Sequence, residues 1–348
     1  MPEPSNRDSP SSATQSTRRS PSSSWPLNIL LFSIPVPVAT AVLLYQLDPF
    51  DPAPFPHELM SEQVLAPLCS GWIFSGAGKR CLRRCADGWI KRVTLNESVA
   101  DLVVENWVNT GGRPLELAHH YDGELLVADA KKGLLSIDED GAVELLTDEA
   151  EGEKFKATNY VDVATDGMIY FTDASYKYNN EEFIWDFLEG RPYGRLLSYN
   201  PLTKETKVLV RDLYFANGVA VSSDQSFVIF CETFMRSCRK FHLQGEKKGS
   251  IENFIDNLPG ARRIISDTIG DRITTASNLA IRYPFIRKGM AILEKYVVSS
   301  PQVEKNSGVV AMNLEGELTA HYTDPDLSGI TSGIKIGNYL YYGWLSRE

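Results

Sequence analysis

The sequence predicts an all-β propeller of four-stranded blades, preceded by an N-terminal transmembrane helix and interrupted by a helical insertion. Three observations predict this. Short β-rich runs that end in Asp or Gly recur at roughly 45–50-residue intervals, the length of a four-stranded blade. The stretch LLVADAKKGLLSID at 125–138 is echoed by IYFTDAS at 169–175 and GRLLSYN at 194–200. Between Trp25 and Leu47 there is no charged residue, and Leu, Ile and Val dominate. That run exceeds the roughly 20 residues needed to cross a bilayer as a helix.

The blade pattern comes from alternating apolar runs and turn chemistry. Asp122-Gly123 and Asp166-Gly167 supply tight hairpin turns. Each Gly-to-Asp run, such as Gly123–Asp129 or Gly167–Asp173, is expected to lie innermost in its blade. A β-sandwich is the structural rival, and the near-repeat favours blades. Two helical stretches break the pattern, Asn180–Glu189 and Ala280–Tyr296, the second read as an insertion covering one face.

At the N-terminus, residues 1–24 are rich in Ser and nearly free of large apolar side chains, the composition of a disordered tail. Arg18 and Arg19 precede the apolar run, and Asp48, Asp51 and Glu58 follow it. The positive-inside rule then places the tail in the cytosol, a signal-anchor at 27–47, and the propeller at 60–348 on the lumenal or extracellular side. A cleaved signal peptide is the alternative. Asn96-Glu97-Ser98 is a glycosylation sequon compatible with that side. No pair among the five cysteines has Cys-x-x-Cys spacing; Cys231 and Cys238 either bridge a hairpin or remain thiols. A net charge of −10 without a basic stripe argues against nucleic-acid partners. The remaining partners are a small-molecule substrate or ligand, and a membrane through residues 27–47.

Several segments resemble the plant strictosidine-synthase-like family: Asp87–Arg92 (DGWIKR), Gly112–Leu115 (GRPL), Ala128–Leu134, Tyr170–Ser175 (YFTDAS), Glu189–Pro192 (EGRP), Arg195–Ser198, Val210–Ala220 (VRDLYFANGVA) and Ser332–Gly337. The family is similar in fold to paraoxonases and gluconolactonases, so the resemblance implies a six-bladed propeller with a site at the channel mouth. It further implies a calcium ion held by a Glu and several Asn or Asp side chains, and hydrolysis of esters or lactones by metal-assisted water attack. Carried over residue by residue, Asn217 in Phe-Ala-Asn-Gly and Asn159 before Tyr-Val-Asp-Val-Ala match metal ligands. The competing reading of Asn217 is a turn residue before Gly. Asp129 and Asp173 read as turn residues of the repeat. Leu115 stands where paraoxonases carry a His, and His119 reads as a surface residue.

The chain also departs from the family. The segment before Asp87 carries no carboxylate after Glu62, and residues 261–271 replace an expected Asn-Ile-Arg segment. The stretch Thr331–Ile334 lacks the Glu that strictosidine synthesis requires. Residues 69–85 and 261–279 therefore read as out-of-frame or mis-spliced sequence, expected to be irregular and to leave the first and the fifth or sixth blade incomplete. The function expected is a hydrolase-type propeller. The alternatives are a lumenal ligand- or protein-binding propeller without catalysis, and a defective gene product.

Overall fold

The computed structural model describes residues 35–55, 72–75, 80–84, 87–94, 103–120, 122–256, 280, 282–296, 305–312, 318–328, 330–336 and 339–344. The chain divides into two units, residues 1–48 and 49–348.

In the first unit the described element is helix α1, Pro35–Leu47. At 1.5 Å per residue its 13 described residues span about 20 Å. No helix among the described residues is long and apolar enough to cross a membrane. Of the span expected at 27–47, the described part, 35–47, is helical. Residues 27–34, the tail at 1–24 and the sequon at Asn96 lie outside the described residues.

The second unit is mostly antiparallel sheet. Four four-stranded meanders succeed one another: β1–β4 (Trp72–Ser75, Arg80–Arg84, Trp89–Thr94, Val103–Asn109), β5–β8 (Pro114–His119, Leu125–Asp129, Gly133–Ile137, Val143–Thr147), β11–β14 (Thr158–Val163, Ile169–Asp173, Gly194–Asn200, Glu205–Leu213) and β15–β18 (Ala216–Val221, Phe227–Glu232, Ser237–His242, Ile251–Ile255). A small hairpin, β9–β10 (Glu149–Ala150, Glu153–Lys154), separates the second and third sheets. Two strand pairs come last, β19–β20 (Lys305–Met312, Leu318–Ser328) and β21–β22 (Ile330–Ile336, Tyr339–Trp344).

The first strands of successive sheets neighbour one another. β1 lies beside β5, β5 beside β11 and β11 beside β15, while β21 and β22 lie beside β1. That arrangement is propeller-like and rules against the sandwich. It also corrects the choice of innermost strand. The Gly-to-Asp runs form β6 and β12, the second strand of each sheet, and the preceding strand lies innermost. The runs looked innermost because they are the most apolar, but a second strand in a stack of sheets is covered on both faces.

Period-two alternation explains that burial. In β6, Leu125 and Val127 face the first sheet, packing with Leu82, Ile90 and Val108. Leu126 and Ala128 face the third, packing with Ile169, Phe171 and Leu197. Between the third and fourth sheets, Tyr170, Leu196 and Val210 meet Val219, Val228 and Phe230. Each such large apolar side chain contributes about 1.5–3 kcal/mol on burial.

At one end of the sheets the turns are closed by aspartates. Asp122, Asp166 and Asp224 each accept the N–H two residues on, from Glu124, Met168 and Ser226. Gly123 and Gly167 sit at φ +95° and +85°, which favours glycine over any L-residue with a side chain.

The segment at 69–85 is not irregular where it is described. Residues 72–75 and 80–84 pair as β1 and β2 and complete the first sheet. Ladder hydrogen bonds depend on the backbone, and one apolar position, Leu82, suffices to face the second sheet. The segment 261–279 lies outside the described residues. Cys231 and Cys238 are register partners on β16 and β17 and form a disulfide. The two expected helical stretches are present: a 3₁₀ turn at Asn180–Glu182 leading into α2, Phe183–Glu189, and α3, Pro284–Tyr296.

Candidate functional site

At the end of the sheets opposite the aspartate turns, the second strand of three successive sheets finishes in a carboxylate. Asp129, Asp173 and Glu232 are buried. Each accepts a backbone N–H from the chain entering the innermost strand: Arg113 to Asp129 at 2.8 Å, Ala157 to Asp173 at 3.1 Å, and Tyr214 to Glu232 at 2.8 Å. These carboxylates pin the mouth of the sheets. The Gly112-Arg-Pro motif has its reason here: a Cβ at Gly112 would meet Asp129 Oδ1 at 2.2 Å.

Beyond each pin the innermost strand carries one residue more than its partner. Pairing steps from Pro114↔Asp129 to Glu116↔Ala128, from Thr158↔Asp173 to Val161↔Phe171, and from Ala216↔Glu232 to Val219↔Phe230. Such bulges re-aim side chains. The first residue past each pin is Leu115, Asn159 and Asn217 respectively, so the two asparagines occupy equivalent places on neighbouring strands. Asn159 is buried and Asn217 half-buried. Asn217 Nδ2 donates to Thr233 Oγ1 at 2.9 Å, which orients the amide and uses one of its two N–H groups. Thr172 Oγ1 accepts from the Tyr160 N–H at 3.2 Å and donates to the Asn217 carbonyl at 2.7 Å, tying the third sheet to the fourth.

The long connection from β12 to β13 brings two sequence motifs together. Glu189, in Glu-Gly-Arg-Pro, accepts from Lys177 Nζ at 2.6 Å, Tyr178 OH at 2.7 Å and Tyr193 OH at 2.9 Å. Burial alone would raise its pKa, but Lys177 and the two tyrosines hold it below the usual carboxylate range. Gly190 caps α2 at φ +67°. On the inner side of α2, Asp186 is fully buried, with Ser175 as its side-chain hydrogen-bond partner. Burial pushes its carboxyl up to about 7; Ser175 moderates the shift, while Glu189 and Asp173 add to it. Asp173 itself is pushed up to about 6 by burial, against the pull of Arg195, whose Nη2 lies 2.8 Å away.

A second buried cation organises the same end. Arg287 of α3 donates from Nε to Leu188 O at 3.0 Å, from Nη1 to Ala280 O at 2.6 Å, and from Nη2 to Ala53 O. Its guanidinium sits over the Phe55 ring at 4.5 Å, and burial lowers its pKa to about 10. One side chain thus fastens the segment at 49–55, α2 and α3 around a cluster of Phe55, Phe187, Phe215 and Phe234.

Calcium takes roughly 6–8 oxygens. At matched register the described residues offer the Asn159 and Asn217 amides, while Leu115 offers hydrocarbon. No group of three or more His, Cys, Asp or Glu side chains suited to a metal occurs among the described residues. This donor set does not fit a calcium cage. Asp129 and Asp173 are structural pins, and His119 is exposed at the far end of β5. Sequence reasoning missed Asp186, Arg195 and Arg287.

The strictosidine synthase family model matches residues 159–246, from Asn159 to the connection between β17 and β18. Protein STRICTOSIDINE SYNTHASE-LIKE 6 of Arabidopsis thaliana is 46% identical over 346 residues, covering 91% of this chain and 92% of that one. The adipocyte plasma membrane-associated protein of Rattus norvegicus is 39% identical over 156 residues, covering 43% and 40%. Among solved structures, the gluconolactonase XC5397 of Xanthomonas campestris superposes with a TM-score of 0.52 at 16% identity, covering 80% of this chain and 84% of that one. At that identity the likeness shows the propeller-like fold alone.

Proposed function

The chain belongs to the strictosidine synthase-like family, and on that premise we propose that its sheets form a six-bladed propeller with a hydrolase-type small-molecule site at the mouth. The four full sheets and the pairs β19–β20 and β21–β22 supply the six blades. The observation that carries the site is the matched placement of Asn159 and Asn217 past two neighbouring pins. An ester or lactone carbonyl received between two amides accepts hydrogen bonds that strengthen as water adds and negative charge grows on its oxygen. Thr233 and Thr172 hold Asn217 in place before substrate arrives, so little reorganisation accompanies the reaction. Hydrolysis is favoured over the strictosidine condensation because Thr331–Ile334 contains no carboxylate.

The disulfide Cys231–Cys238 supports an oxidising, lumenal or extracellular location for the propeller. A second reading, ligand binding without catalysis, is favoured by Leu115 at the third equivalent position. The completed first sheet weighs against a defective product.

The test is hydrolysis of aryl esters and lactones by the purified full chain beside Asn159→Ala/Asn217→Ala. We expect turnover that falls about 10²-fold or more in the double variant, the scale of losing oxyanion donors. The same assay with calcium and with EDTA reads any dependence on a cation. Ligand binding that is lost in the double variant, with no turnover in either protein, would establish the second reading instead.

A further inference from the structure

Helix α3 has two apolar faces. Arg287 and Ala291 are buried, and Ile286 and Met290 pack with them against the phenylalanine cluster. On the opposite side Phe285, Ile292, Leu293 and Tyr296 recur at i, i+7, i+8 and i+11, with Gly289 among them. Phe285 and Leu293 are 60% exposed and Tyr296 is 54% exposed. Tyr283, just before the helix, continues the patch, its ring 5.5 Å from Phe285. An ordinary surface helix buries its one apolar stripe and turns polar residues outward.

Cations border this outer stripe. Arg282 lies over Tyr283 at 5.5 Å and Lys295 over Tyr296 at 5.4 Å, and Lys288 lies one turn beyond Phe285 in sequence. The helix carries only one acidic residue, Glu294, in a chain whose net charge is −10. Aromatic and aliphatic side chains flanked by Lys and Arg form the pattern of a helix lying in a membrane interface. Arg287 also fastens α3 to Ala53, and the segment at 49–55 directly follows the uncharged run Trp25–Leu47 in sequence.

We propose that the outer face of α3 rests on a lipid bilayer, with Phe285, Leu293 and Tyr296 among the acyl chains and Arg282, Lys288 and Lys295 at the level of the headgroup phosphates. The partner is the lipid surface itself, recognised by apolar burial together with contact of the bordering cations to headgroup phosphates. This inference stands apart from the hydrolase reading, since it uses neither asparagine.

The experiment adds one tryptophan at a time to the full chain, reconstituted with phosphatidylcholine–phosphatidylserine vesicles containing brominated acyl chains. Phe285→Trp tests the stripe. Leu43→Trp tests the apolar N-terminal run. Leu202→Trp is the control, since Leu202 is 94% exposed in the β13–β14 turn at the other end of the sheet. Apolar side chains of an interfacial helix sit ~5–10 Å below the headgroup boundary, so Phe285→Trp should lose roughly half or more of its added emission. Leu202→Trp should lose none. Quenching at 43 without quenching at 285 overturns the proposal while leaving the N-terminal run in the membrane. Quenching at neither position overturns both. Equal quenching at 285 and 202 also overturns it, because contact would then lack orientation.

Discussion

Asp129 and Asp173 hold the same place in successive sheets and reach the same end by different means. Asp129 collects the N–H groups of Arg113, Lys131 and Lys132, and its other oxygen accepts from Thr110 Oγ1 at 2.7 Å. Asp173 keeps the equivalent N–H of Ala157 and turns its other oxygen to the buried Arg195. The cause is the length of the connection to the third strand. After Asp129 the chain turns back within residues 130–132, so the turn supplies donors. After Asp173 it departs for residues 174–193, and a guanidinium takes the place of those N–H groups. The repeat fixes the position of the carboxylate, and the connecting loop decides its partner.

The largest expected effect breaks that comparison directly. Arg195→Met leaves Asp173 buried without its cation and should destabilise the fold by about 3–5 kcal/mol. Asp129→Ala strands backbone donors instead and should cost about 1–3 kcal/mol. Urea titrations of the two variants decide it: equal losses would mean that the different partners make no energetic difference.

A smaller effect is expected from Asp186, which exists only because the connection at 174–193 is long enough to hold a helix. Its folded pKa, about 7, lies above the ordinary carboxylate value. The stability linked to its proton is therefore complete below about pH 4 and is lost as pH rises through about 7. Asp186→Asn should match the parent near pH 4 and exceed it at pH 8, by on the order of 2–4 kcal/mol. Thermal melts across that range would show parallel curves if Asp186 ionised as an ordinary carboxylate.

The smallest effect separates pinning from site chemistry. Thr233 comes directly after the third pin, Glu232, and holds Asn217. Thr233→Val removes one partly buried hydrogen bond, worth about 1 kcal/mol of stability. It should lower ester turnover by a larger factor than that loss implies. Turnover unchanged in Thr233→Val would mean that Asn217 needs no positioning.

Much of the sheet pattern was legible in the sequence, because its signals are local. Short apolar, β-rich runs at Leu125–Asp129 and Ile169–Asp173 mark strands, Asp-Gly marks turns, and the spacing of Ile286, Met290 and Leu293 marks α3. Asn159 and Asn217 could be singled out by family resemblance, though not their shared register, which depends on bulges that no composition reveals. Asp186 and Arg287 were invisible for a different reason. Arg287 donates to Leu188 and Ala53, 99 and 234 residues away in sequence. A buried charge is recognised by the partners that justify it, and these come from distant segments. The strands at 72–75 and 80–84 were missed because arginines in that stretch suggested interior charge, whereas a ladder only asks for backbone.

The pins also bear on how such a protein diversifies. Asp129 and Asp173 fix the entry to the innermost strand whether the chain between the next two strands is a tight turn or holds a whole helix. Register is insulated from loop length. Insertions between β12 and β13 can therefore be grafted, lengthened or exchanged without re-pairing the sheet, and each exchange alters what borders this end of the sheets. A fold with this property can acquire new specificities from one connection while its blades remain as they were.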